Sequence, residues 1–138
     1  MNDPQQAAIQ AYARDLADRL LLRDWEVRVF RDPPSSGQAY ASAHTFDTED
    51  HVIVRVCDEF FGHAHEDQRE WMTHELIHAH VCRLQDVMVQ LKDQFPDNAA
   101  IVFAKQAHHL AIEVVVQKMA RLLAPTLPLP TLPPGVNY

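Results

Sequence analysis

Thr73-His74-Glu75-Leu76-Ile77-His78 is the stretch around which the rest of the chain falls into place. Trp71, Leu76, Ala79, Leu84, Val87 and Leu91 recur along it at helical intervals, so the segment reads as a helix with one buried side. Residues four apart on a helix differ by about 40° around its axis, which puts His74 and His78 on one face a turn apart. Glu75 lies about 100° from His74 and about 60° from His78, so it flanks whatever the two imidazoles share. Two neutral nitrogen ligands beside a carboxylate able to take a proton from a metal-bound water suit zinc-dependent hydrolysis. The H-E-x-x-H pattern alone would arise by chance in about 3% of chains of this length and composition. Its setting gives it weight, because histidines on a solvated face fit poorly beside Leu76, Ile77 and Ala79.

Upstream of the motif the periodicity changes twice. Asp3-Pro4 opens a helix with a capping carboxylate and a first-turn proline. Ile9, Tyr12, Ala13, Leu16, Ala17 and Leu20 then form one apolar face, predicting a helix to about Arg23. Residues 25–30 alternate, with Trp25, Val27 and Val29 on one side. Residues 39–46 suit a second strand, and 51–57 give the clearest strand pattern in the chain. Turns are expected at 31–37 and 47–50, too short for crossover helices, so the expected sheet is three-stranded and antiparallel.

Downstream, the motif helix should begin near Glu66 and run to about Gln94. Pro96-Asp97-Asn98 ends it and caps the next helix, 99–124. That helix carries Ile101, Val102, Leu110, Ile112, Val115, Val116, Met119 and Leu122, an apolar surface wide enough to predict burial against both the sheet and another helix. Residues 125–138 contain five prolines and no charged side chain and should be extended. The expected architecture is thus one α+β domain over 1–124, followed by a Pro-rich tail over 125–138.

Composition narrows the function classes. The 138 residues fit a single domain. A formal charge of −7 without a basic patch argues against a nucleic-acid partner. Of the nine histidines, only His44 lies outside the span from His51 to His109, a concentration that hints at metal chemistry. The first residues lack a basic start and apolar run, and no stretch is expected to reach the roughly 18 to 20 apolar residues of a membrane span. A soluble cytoplasmic protein with no membrane partner is expected, its thiols Cys57 and Cys82 reduced and packed as small hydrophobes.

A catalytic zinc needs a third protein ligand. The last helix offers His108, His109 and Glu113. Glu113 is favoured, since it sits among Leu110, Ala111, Ile112, Val114, Val115 and Val116, where an unpaired carboxylate would be costly to bury. His109, one turn earlier on the same face, is the alternative ligand. Cys82 continues the stripe of His74 and His78, but a straight helix does not readily wrap three consecutive turns around one tetrahedral ion. His80 faces away from His74. Tyr40, His44, His108 and His109 are all candidates to stabilise a developing oxyanion, and the choice among them stays open.

H-E-L-I-H followed by a glutamate 35 positions later on another helix resembles the gluzincin branch of the zincin metallopeptidases. More narrowly, residues 25–124 look like the minimal stand-alone versions found in bacteria and phages. The resemblance implies Zn2+ held by His74, His78 and Glu113, with Glu75 as general base and acid. It also implies an edge strand beside the cleft to which a substrate backbone adds, a role that would fit residues 51–56. One departure stands out. Larger gluzincins place an acid one turn after the ligand glutamate, orienting a zinc-bound histidine, and here that position is Gln117.

Two functions follow as expectations. The first is a zinc metallopeptidase acting on a peptide or protein substrate. The second is a non-catalytic zinc-stabilised binding or assembly protein, part of a phage particle or larger complex and virion-associated if phage-encoded. The P-x-x-P spacing in the tail allows a protein partner to dock there, although an extended strap against the domain is the plainer expectation.

Overall fold

The structure is a computed structural model and describes residues 3–31, 39–46 and 49–133. Asp3 caps helix α1 (Pro4–Arg19), its side chain accepting the Gln5 backbone N–H at 2.9 Å. The helix ends earlier than its apolar pattern implies. Leu21 adopts a left-handed conformation (φ 64°), and the Leu22 N–H returns to the Ala17 carbonyl at 2.8 Å, closing the end with a Schellman-type turn.

Strands β1 (Glu26–Phe30), β2 (Ala41–Phe46) and β3 (His51–Val56) form one sheet in the order β1-β3-β2. β2 pairs antiparallel with β3, placing Ala43 opposite Val54, whereas β1 pairs parallel with β3, placing Val27 opposite Val52. The sheet is therefore mixed, not antiparallel. The chain runs up, down and up, and β3 inserts between its two predecessors. β2 with its flanking segments then serves as the crossover, so short loops did not exclude a parallel pair. This order also makes β3 the central strand, leaving β2 as the edge next to the motif helix. Residues 32–37 and 47–48 of the expected turns lie outside the described part.

After a 3-10 turn (Asp58–Gly62), helix α2 (His65–Gln94) carries the motif. Val27, Val29, Val52, Val54 and Val56 meet Ile9, Ala13, Leu16 and Ala17 of α1 and Met72, Leu76 and Ala79 of α2 in the main core. Helix α3 (Ala99–Leu123) is capped by Asn98, whose side chain accepts the Ile101 N–H at 3.2 Å. Its packing is narrower than its composition predicts. Ile112, Val116 and Ala120 bury with Ile77 of α2 in a second small cluster, while Phe103, Leu110, Val114 and Leu122 remain exposed. By length and composition alone, the stretch Ala99–Thr126 is also long and apolar enough to cross a membrane, and 11% of its most apolar window is buried. Isolated charges such as Lys105, Glu113 and Lys118 interrupt that stretch in the sequence.

Beyond a 3-10 turn (Ala124–Thr126), residues 127–133 cross back over the domain. The Tyr12 hydroxyl donates to the Pro128 carbonyl at 2.9 Å, Gln5 Nε2 to Pro133 at 3.1 Å and Arg69 to Leu127 at 3.1 Å. Leu127 and Leu132 pack against the main core. Residues 134–138 lie outside the described part.

Candidate metal centre

Helices α2 and α3 are an antiparallel pair folded at residues 95–98, so positions equidistant from that fold come together. His78 lies 18 residues before Pro96 and Glu113 17 after it; His74 and Gln117 are similarly matched. His78 Nε2 is 3.1 Å from Glu113 Oε1, His74 Nε2 is 3.3 Å from Glu113 Oε2, and the two Nε2 atoms are 3.3 Å apart. Among the described residues, His74, His78 and Glu113 form a group that could hold a metal ion.

The spacing can be tested against a metal's needs. Ligands at about 2.0 to 2.1 Å from a tetrahedral ion lie roughly 3.3 Å from one another. The two imidazole nitrogens are separated by that edge length, and each lies at a similar distance from a different oxygen of Glu113. The donor chemistry points the same way, because neutral imidazole lone pairs and a carboxylate repel one another when they converge. A metal ion between them would relieve that repulsion, as would an Nε2–H proton on either imidazole. Burial holds the His78 imidazole below its ordinary range, with Glu113 opposing that shift and His74 and His109 adding to it. A neutral His78 is the form that ligates a metal.

Glu75 is 9% exposed. Burial, reinforced by the Glu113 charge, pushes its carboxyl up to about 8, and a backbone hydrogen bond from Ala43 of β2 works in the opposite sense. The motif glutamate is thus held against the edge strand, close to the proposed ligands. His74 is also anchored from behind: its Nδ1 lies 2.7 Å from Gln117 Oε1, and Gln117 Nε2 donates to Glu70 Oε1 at 2.7 Å. Comparison of the chain with protein families, curated proteins and solved structures finds no match.

The other sequence candidates fall into distinct places. His109 is exposed and outside the metal group; with His108 and His44 it lines an open cleft of about 380 Å³ between β2, α2 and α3. Tyr40 stacks on Trp71, ring centroids 4.6 Å apart, and also meets His63. Cys82 is buried with its thiol toward the Ala79 carbonyl and is not in the group. His80 Nε2 donates to the Leu20 carbonyl at 2.6 Å, tying α2 to the end of α1. Glu113 is in the group, but the burial argument for it does not hold. Its side chain is 38% exposed, and Leu110, Val114 and Val115 are exposed beside it. From the sequence Glu70 reads only as an acid suiting the dipole at the start of the motif helix, and its contact with Gln117 was missed. Counting outward from Pro96 is the signal that pairs Gln117 with His74.

Proposed function

We propose that the domain is a minimal zincin-like zinc metallopeptidase, with His74, His78 and Glu113 as ligands and Glu75 as general base and acid. The observation that carries this reading is the convergence of the three ligand side chains, the two Nε2 atoms 3.3 Å apart and each within 3.3 Å of a Glu113 oxygen, with Glu75 one residue from His74. Two imidazoles and a carboxylate suit Zn2+ among common metals. When bound there, zinc would polarise the scissile carbonyl and supply a nucleophile at neutral pH. Glu75 accepts the proton of the attacking water and passes it to the leaving amine; the charge of a bound zinc ion would favour the ionised carboxylate that this role needs. The substrate backbone adds along β2, the free edge beside α2, with the cleft at His44, His108 and His109 receiving side chains. The domain works in the cytoplasm, and α3 is a scaffold helix in this reading, since Ile112 and Val116 pack on α2.

The test joins metal content to turnover. Wild-type protein should bind about one Zn2+ and cleave an unstructured protein substrate. Glu75→Gln should keep the metal and lose at least about 100-fold in rate, the low end for removing a general base. Zinc-loaded Glu75→Gln protein that cleaves at the wild-type rate would sink the mechanism. A second reading, a zinc-tied assembly protein without turnover, draws on the exposed apolar residues Phe103, Leu110, Val114 and Leu122 of α3. It is favoured if zinc binds in full and no peptide is cleaved.

A further inference from the structure

We infer that Glu70 and Gln117 form a positioning relay that locks His74 in the tautomer with its proton on Nδ1 and its lone pair on Nε2. A carboxylate accepts hydrogen bonds and does not donate them. The Gln117 atom 2.7 Å from Glu70 Oε1 is therefore the amide nitrogen, which turns the amide oxygen toward His74 Nδ1 at 2.7 Å. That oxygen can only accept, so Nδ1 must be the donor. In neutral His74 the lone pair then lies on Nε2, the atom facing His78 and Glu113 at 3.3 Å. Arg121, 3.6 Å from the same Glu70 oxygen, balances the charge at the far end.

The relay rests on the metal reading for its purpose and on the hydrogen-bond geometry for its existence. Neutral imidazole in water favours the opposite tautomer, with the proton on Nε2, so an unassisted His74 would present a proton to the cluster. A direct carboxylate partner would solve this in one step. Here the acid stands one link back, on α2, and the neutral Gln117 transmits its direction. Neither side chain touches a reacting atom, so both are positioning residues.

The test uses the full chain, 15N-labelled and metal-free at about pH 8, where an ordinary imidazole is neutral. Two-bond proton–nitrogen correlations report which nitrogen of each histidine carries the proton. His74 should be the Nδ1–H form in wild type. Gln117→Met, similar in volume but without an acceptor, should shift it to the Nε2–H form and cut Zn2+ affinity about 10- to 100-fold. Gln117→Glu combined with Glu70→Gln, so that an amide faces the new carboxylate, should restore both, since it returns an acceptor to the same place. Glu70→Met should give a mixture, because the amide is then free to turn over. An Nε2–H His74 in wild type, or a tautomer indifferent to either methionine substitution, overturns the relay. A tautomer that responds as expected in a protein that binds no Zn2+ upholds the relay and instead defeats the metal reading.

Discussion

Glu75 couples the candidate chemistry to the stability of the fold. Its carboxyl, raised from the ordinary 4.5 to about 8 by burial and the Glu113 charge, binds a proton in the folded protein that the unfolded chain has released. The sign follows from linkage. The stabilisation is fully present below about pH 4.5 and is lost as pH rises through about 8, with a slope approaching ~1.4 kcal/mol per pH unit between those limits. Other groups titrate in the same interval, so the informative quantity is the difference between wild type and Glu75→Gln in chelator. Urea unfolding at several pH values should show wild type losing stability relative to the variant as pH rises from about 5 to 8. A pH-independent difference would show that Glu75 titrates normally. At this scale the motif was legible because a single helix sets the directions of His74, Glu75 and His78. Glu113 was less so: its partners come from the pairing of α2 with α3, and the apolar neighbours used to argue for it face other directions.

Helices and strands were read well from periodicity, since local pattern determines both. Their ends and their order were not. α1 stops at Arg19 because Leu21 takes up a left-handed conformation, which no apolar pattern reports. That conformation gives a prediction. A non-glycine residue there costs about 1 to 2 kcal/mol, against about 0.5 to 1 kcal/mol for the extra freedom glycine loses on folding. Leu21 is 86% exposed and gives up little packing. Leu21→Gly should therefore stabilise the protein by roughly 0.5 to 1 kcal/mol, measured as a higher denaturation midpoint at unchanged slope. A lower midpoint would mean that the leucine contributes something its exposure conceals. The strand order β1-β3-β2 was equally hidden, because residues 51–56 have the same alternation at an edge as at the centre. It depends on where the third strand finds its partners, which is a tertiary fact.

Two unequal bodies of packing make up the molecule. The main core joins α1, the sheet and the first half of α2; α3 packs chiefly on α2 through Ile112, Val116 and Ala120. The wide apolar surface of α3 pointed to deeper burial, because composition counts apolar residues without knowing how many faces find a partner. Glu113 is the link that reaches from this lightly anchored helix to His74 and His78. A metal ion held by all three side chains would thus stabilise α3 more than the sheet. Binding at a hundredfold excess over Kd contributes about 2.7 kcal/mol to the metal-holding state. Local opening of α3 needs to break the small cluster, that bridge and the polar contacts of Gln117 and Arg121 with α2, whereas opening β3 requires disrupting the main core. Hydrogen exchange with and without chelator should accordingly show faster exchange across residues 105–120 on metal removal, by up to about 100-fold. The amides of Val52 and Val54, both fully buried in the central strand, should change far less. Glu113→Ala should abolish the difference in α3. Equal loss of protection in α3 and β3 would mean that the protein opens as one unit, and no loss in either would mean that no ion bridges the two helices.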